Sequence, residues 1–310
     1  MTRAVVAQSY GGPEVLAIQD IVLPAPGAGQ VLLDVRASGA NPVDYKLYSG
    51  AMGSDPGALP MPVGMEVSGV VVATGSGAQG YTGALAVGDE VIATDVRGGY
   101  AEQVLVDGEN VGHKPAALSF EQAAGLILVG GTAWHLLMKT DVGTGDTVLI
   151  HGASGGVGLM AVQLAVARGA VVIATASPSR HDQLRGYGAH PVAYGPGLLD
   201  RVRAIGPVDA ALDLAGTDEA LDTSVELVAD RGRIATIVGF GRAAELGIAA
   251  LTGADGGQQI RDAARPKLLE LAAEGKLEVT VDKVFSLGEA AAAHRYLQAG
   301  HTRGKVVLVP

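Results

Sequence analysis

Residues 146–158, DTVLIHGASGGVG, join an apolar strand to a glycine-rich turn and the start of a helix. That order of elements suits the phosphates of a dinucleotide. Gly155, Gly156 and Gly158 carry no side chain, so the backbone can approach a pyrophosphate, and the following run LMAVQLAVARG aims helix N-terminal amides at it. Ser154 and Val157 share the turn and join the candidate contacts, while the first position of the glycine pattern is Ala153. About 20 residues further on, where a carboxylate would hold the ribose 2'-hydroxyl of NAD, the second strand runs into Ala176, Ser177, Pro178, Ser179 and Arg180. A guanidinium and two hydroxyls without a carboxylate suit a 2'-phosphate, so the expected cofactor is NADPH. Arg180 also reads as a solvated arginine at a helix start.

The elements that must position this turn follow from patterning. Residues 1 to about 115 read as short β segments (AVVAQ, LAIQDIVL, QVLLDVRASG, VSGVVVATG, DEVIAT, AEQVLV) separated by Gly and Pro, which predicts a small barrel or sandwich. From Ser119, with Glu121 and Gln122 as a cap signature, the texture turns helical. Strand and helix then alternate: TVLIHG, helix 156–168, VVIATA, helix 179–187, a strand near PVAYG, helix 197–205, DAALDLA, helix 217–228, RIATIVG and LGIAAL. Right-handed crossovers force such βα units into a parallel, doubly wound sheet. The segment TGADGGQQ (252–259) breaks the alternation, and the last helix–strand–helix–strand run, ending in KVVLVP, reads as a return to the first domain. The fold class is therefore α/β plus β. The expected domains are a discontinuous catalytic domain, 1–118 with 256–310, and a nucleotide-binding domain, 119–255.

The 310 residues are 48% hydrophobic and 17% charged, ample for two cores. No apolar run reaches about 18 residues and MTRAVVAQSYGG lacks a signal-peptide core, so the expected location is cytoplasmic, with no membrane span. A net charge of −10 disfavours nucleic-acid or membrane-surface binding and leaves a small-molecule partner. With no cysteine there is no disulfide, thiolate nucleophile or sulfur-bound zinc. The seven histidines (113, 135, 151, 181, 190, 294 and 301) have no metal-ligand spacing, so no metal is expected.

Eight segments in order, ASGANPVDYK (37–46), PVGMEVSGVV (62–71), VGDEVIA (87–93), GGYAEQVLV (98–106), GGTAWHLL (130–137), GDTVLIHGASGGVGLMAVQLA (145–165), RGRIATIVG (231–239) and GKVVLV (304–309), span nearly the whole chain. On them the sequence resembles the medium-chain dehydrogenase/reductase superfamily, and within it the zinc-independent quinone oxidoreductase branch that includes zeta-crystallin. The resemblance implies a GroES-like β-barrel catalytic domain, a Rossmann nucleotide-binding domain and an active site in the cleft between them. Zinc alcohol dehydrogenases of the superfamily place a cysteine near Asn41 and a histidine where this chain has Met65, and a cysteine-rich zinc loop near residues 94–110 is missing as well. Without that Lewis acid, reduction of an already electrophilic acceptor is favoured over oxidation of simple alcohols.

The implied reaction is reduction of a quinone by NADPH, by hydride delivery or by one-electron transfer. Reduction of activated C=C bonds in enones, haloacrylates or acyl thioesters is the first alternative. The second is a structural or regulatory NADPH-binding protein with little turnover. By resemblance, Asn41 and Asp44 orient substrate or relay protons, with Tyr45 and Tyr48 able to hydrogen-bond a developing oxyanion. Asn41 before Pro42 also reads as a turn, Asp44 as a cap opening YKLYSG, and Tyr48 as core packing. A common relative has an arginine where this chain has Tyr48. Thr132 by resemblance touches the nicotinamide, and Tyr194 lies near the 2'-phosphate. Strand ends at Leu214 and Ala215 and at Val238, Gly239 and Phe240 flank the ribose and nicotinamide, since ligands of such sheets sit at strand C-termini. The family further implies a homodimer, with LGIAAL as the pairing strand.

Overall fold

Alternating apolar and polar residues build the long strand Gln30–Ala40, whose Val31, Leu33 and Val35 face the core. The computed structural model describes residues 1–254, 256–300 and 302–310; Asp255, at the expected domain end, and His301 lie outside the described residues. On one side Gln30–Ala40 pairs antiparallel with Glu66–Thr74. On the other it pairs with Gln103–Asp107 over its first half and with Lys305–Val309 over its second. The sheet extends through Glu90–Thr94 to Val111–His113 at one end and through Lys305–Val309 to Val281–Ser286 at the other. Register shifts at Leu32/Leu33 and Val35/Ala37 bend the long strand as bulges do. Valines 31, 35, 67, 71 and 91 with Leu33 fill the interior.

The chain divides into two compact units, Met1–Leu128 with Val279–Pro310, and Val129–Glu278. The texture change at 118/119 precedes this division because the capped turn Phe120–Ala123 stays with the first unit, where Ser68 Oγ donates to the Phe120 carbonyl at 2.6 Å. Likewise the helix Gly257–Ala273, expected with the catalytic domain, belongs to the second unit, where its Leu268 lies under Gly130.

In the second unit six strands run parallel in the order His190–Val192, Val171–Thr175, Thr147–His151, Ala210–Asp213, Ile234–Thr236, Ala249–Ala250. The chain winds outward from Thr147–His151 in one direction and then restarts at Ala210–Asp213 in the other. The switch point between those two strands is where open α/β sheets take ligands. Leu149, Ile173, Ala211 and Ile234 are fully buried, as strands covered on both faces require. Three expectations need correction. The helix expected over 179–187 starts as a tight turn, Pro178–Arg180, and is α-helical over His181–Gly186. Residues 238–240 are not a strand end: the strand stops at Thr236, whose hydroxyl captures the Val238 and Gly239 amides, and Phe240 opens an unforeseen helix, Phe240–Leu246. LGIAAL is extended only at Ala249–Ala250. No helix among the described residues is long and apolar enough to cross a membrane.

Candidate active site

The glycine turn leaves the first parallel strand at its C-terminal end. Gly152 takes a φ of 69°, favoured by glycine, and brings the turn against the next loop: a Cβ there would lie 3.0 Å from the Leu214 carbonyl oxygen. Helix Gly156–Ala167 starts at once after Gly155, so its free amides stand at the switch point. Ser154, Gly155, Gly156 and Val157 remain partly exposed. Leu214 and Ala215 follow the strand Ala210–Asp213, and the Val238 side chain crowds Gly216, so turn and both loops are neighbours.

Ser177 and Arg180 follow the second strand, with the Ser177 and Ser179 hydroxyls 3.1 Å apart. Tyr194, 61% exposed, lies beyond the third strand, whose Val192 carbonyl accepts from the Ala176 amide. Thr132 sits inside helix Ile127–Lys139 and is buried. Val238 and Phe240 are exposed.

Sequence reasoning missed what holds this edge. Thr175, His151, Asp213 and Thr236 are the last residues of four adjacent strands, and all are buried. Asp213 Oδ1 accepts the Ala215 and Gly216 amides at 3.0 and 2.8 Å, and Oδ2 accepts the Thr236 hydroxyl at 2.6 Å. Thr175 Oγ1 accepts the Gly152 amide at 3.3 Å and lies 3.4 Å from His151 Nδ1. Burial holds the His151 imidazole down at about 4, against the opposing pull of Asp213. The aspartate within the otherwise apolar end of the predicted strand DAALDLA was the available signal.

In the first unit a second group of polar side chains is enclosed. Asn41 caps helix Pro42–Tyr48, and Asp44, its third residue, accepts the Asn41 amide at 2.8 Å. The helix thus opens earlier than expected, with Asn41 rather than Asp44 at its cap. The Asn41 side chain donates to Glu66 Oε1 (2.9 Å) and the Gly39 carbonyl (3.2 Å), and its Oδ1 accepts from Lys305 at 2.6 Å. Asp44 Oδ2 also accepts from Tyr100 at 2.9 Å. His294 Nε2 lies 2.9 Å from that Tyr100 hydroxyl, and His294 Nδ1 lies 2.6 Å from the hydroxyl of Tyr48. All of these side chains are buried. Tyr48 is a core residue, its ring stacked on His294, whereas Tyr45 is only partly buried. Burial lifts the Asp44 carboxyl to about 7, despite the Asn41 amide and Tyr100 hydroxyl bonds, and lowers His294 to about 4. Among the described residues no three His, Asp or Glu side chains gather as a metal site.

Residues 27–141 match the alcohol dehydrogenase GroES-like domain, and residues 187–308 match the model described as zinc-binding dehydrogenase. The quinone oxidoreductase of Pseudomonas aeruginosa is 34% identical across the whole of both chains. The solved quinone oxidoreductase of Coxiella burnetii superimposes with a TM-score of 0.84 at 32% identity, covering 100% of this chain and 99% of its own. That of Escherichia coli, complexed with NADPH, gives 0.85 at 28% identity over 99% of this chain and 100% of its own. The barrel-type and parallel-sheet units, in the order found here, are those of these relatives. The chain is an oxidoreductase that belongs to the quinone oxidoreductase family of medium-chain dehydrogenases/reductases.

Proposed function

We propose that this chain is an NADPH-dependent reductase of quinones that works without zinc. The observation that carries the cofactor half is the glycine turn at the switch point, followed one strand later by Ser177 and Arg180 with no carboxylate. The complexes of the Escherichia coli and a mycobacterial relative with NADPH support it. In the same reading Leu214, Ala215, Val238 and Gly239 contribute backbone beside the nicotinamide ribose, and Tyr194 borders the 2'-phosphate.

Zinc does not fit the residues where zinc-dependent relatives hold it. Asn41 offers an amide and Met65 a thioether. Glu66 and the Asn41 oxygen already share the Lys305 ammonium at 2.7 and 2.6 Å, and a second cation there would meet like charge.

When bound, NADPH supplies the hydride equivalent. The reduced acceptor then needs a proton, and Asp44 can hold one near neutral pH because burial lifts its carboxyl to about 7. Behind it Tyr100, His294 and Tyr48 form an unbroken chain. With Asp44 ionised, the donors run from Tyr48 to His294 Nδ1, from Nε2 to Tyr100, and from Tyr100 to Asp44; with Asp44 protonated on Oδ2 the three reverse. Asn41 holds its neighbours, since its amide is engaged by Gly39, Glu66 and Lys305. Tyr45 is left as the candidate donor to the acceptor oxygen.

Reduction of activated C=C bonds makes the same demands and is the second reading. An NADPH-oxidation screen over quinones, enones and acrylates, run beside NADH, separates the two. Enone turnover without quinone turnover selects the second reading, and tight NADPH binding without any turnover leaves a regulatory role. The reading includes a cytoplasmic homodimer paired through the edge strand Ala249–Ala250, which the mass in solution tests.

A further inference from the structure

The row of polar strand ends in the second unit has its charge at one place. His151 stands opposite Asp213 and Asp213 opposite Thr236 in the sheet register. A buried carboxylate in mid-sheet is costly unless its lone pairs are filled. Here one loop of the switch point and the neighbouring strand end engage both oxygens. The Ala215 and Gly216 amides reach Oδ1, and the Thr236 hydroxyl reaches Oδ2. Having donated its only hydrogen, Thr236 Oγ1 has its lone pairs left for the Val238 and Gly239 amides, at 3.1 and 2.8 Å. Four backbone amides of loops 214–216 and 237–239, those of Ala215, Gly216, Val238 and Gly239, thus end on one carboxylate, directly or through one hydroxyl, while the Leu214 and Ile237 amides bond the His151 and Asp213 carbonyls. Close packing leaves the loops little alternative: a Cβ on Gly239 would lie 3.1 Å from Asp213 Oδ2, and one on Gly216 would lie 2.6 Å from Val238 Cγ1.

We propose that Asp213 is a positioning residue for the dinucleotide, its carboxylate and the Thr236 hydroxyl together fixing both loops in the arrangement that presents their backbone to the cofactor. The role rests on the NADPH reading above. It assigns no contact between Asp213 and the ligand. An amide at 213 keeps the shape but turns an N–H toward Thr236, whose own hydrogen then lacks an acceptor. Valine at 236 keeps the shape and deletes the hydroxyl.

Fluorescence titration with NADPH and the acceptor KM at saturating NADPH test this on Asp213→Asn, Thr236→Val and Thr236→Ser. Asp213→Asn and Thr236→Val are expected to raise the NADPH Kd about tenfold, while the acceptor KM stays within about twofold. Thr236→Ser, which restores the hydroxyl, returns the Kd to within about threefold of wild type. A Thr236→Val protein that binds NADPH like wild type, or a serine variant no better than valine, overturns the proposal. Where Asp213→Asn fails to fold, the valine–serine pair alone decides. Failure of the wild-type chain to bind NADPH, seen in the same titration before any variant is compared, overturns the cofactor reading itself.

Discussion

Lys305 Nζ lies 2.7 Å from Glu66 Oε1 with side-chain exposures of 3% and 0%, so a cation from the last strand neutralises an anion from the middle of the barrel-type sheet. The Leu128 amide fills the other carboxylate oxygen at 3.1 Å. Replacing Lys305 by Met leaves an enclosed carboxylate without its counter-charge, a loss of about 3–5 kcal/mol. Adding Glu66→Gln removes the stranded charge and should recover most of it. Urea unfolding of the single and double variants measures both. A Lys305→Met protein within about 1 kcal/mol of wild type would show that the pair does not hold the sheet.

Asp44 and His294 flank Tyr100 and titrate in opposite senses. Burial raises Asp44 from the ordinary 3.8 to about 7 and lowers His294 from 6.5 to about 4. Between those two Asp44 values the native chain keeps a proton that the unfolded chain has released. Its stabilising share is therefore full in acid and lost as pH rises toward 7. His294 works the other way, since the unfolded chain takes up its proton first and stability is lost as pH falls below 6.5. Lys305 and Glu66, the charges facing Asp44, are common to wild type and Asp44→Asn. The wild-type stability minus that of Asp44→Asn should thus decline by up to about 1.4 kcal/mol per pH unit between about pH 4.5 and 6.5. A pH-independent difference would return the Asp44 carboxyl to the ordinary range.

The glycine turn was legible because its parts are contiguous: strand, glycines and helix run from Thr147 to Ala167 and need no partner to be recognised. The same holds for the Ser119 cap with Gln122. The groups that act across the fold were not legible. Tyr48 and His294 are 246 positions apart, and nothing in either neighbourhood signals the other until the C-terminal segment packs against helix Pro42–Tyr48. Asp213 and Thr236 meet only because strand register puts two strand ends side by side. Helix Phe240–Leu246 was hidden by Gly239, Gly241 and Gly247, which read as a loop until the Thr236 hydroxyl is seen turning the chain out of the sheet.

Arg180 closes the turn Pro178–Arg180 directly after the second strand, beside the Ser177 and Ser179 hydroxyls. If it binds a 2'-phosphate, Arg180→Ala should raise the KM for NADPH about 10- to 150-fold and leave that for NADH nearly unchanged. Steady-state kinetics with both cofactors and one quinone reads this directly. Equal losses for the two cofactors would instead mean that the arginine supports the turn.

Gly155 and Gly158 lie three residues apart and should fail in different ways. A Cβ on Gly158 would stand 2.4 Å from the Gly152 carbonyl oxygen and 2.6 Å from Ala153 Cα, backbone atoms that cannot rotate away. Gly158→Ala must therefore shift the turn against the helix, which costs about 1–3 kcal/mol and shows as a lowered Tm without any ligand. Gly155 has a φ of −77°, open to any residue, and its Cβ would meet only the Gly152 oxygen, at an ordinary 3.5 Å. Gly155→Ala should keep the wild-type Tm. On the proposed cofactor site its methyl would nevertheless enter the space assigned to the pyrophosphate, so NADPH affinity should drop about tenfold. Unaltered NADPH affinity in Gly155→Ala would move the phosphates off this turn. A wild-type Tm in Gly158→Ala would mean that the turn can open to admit the methyl.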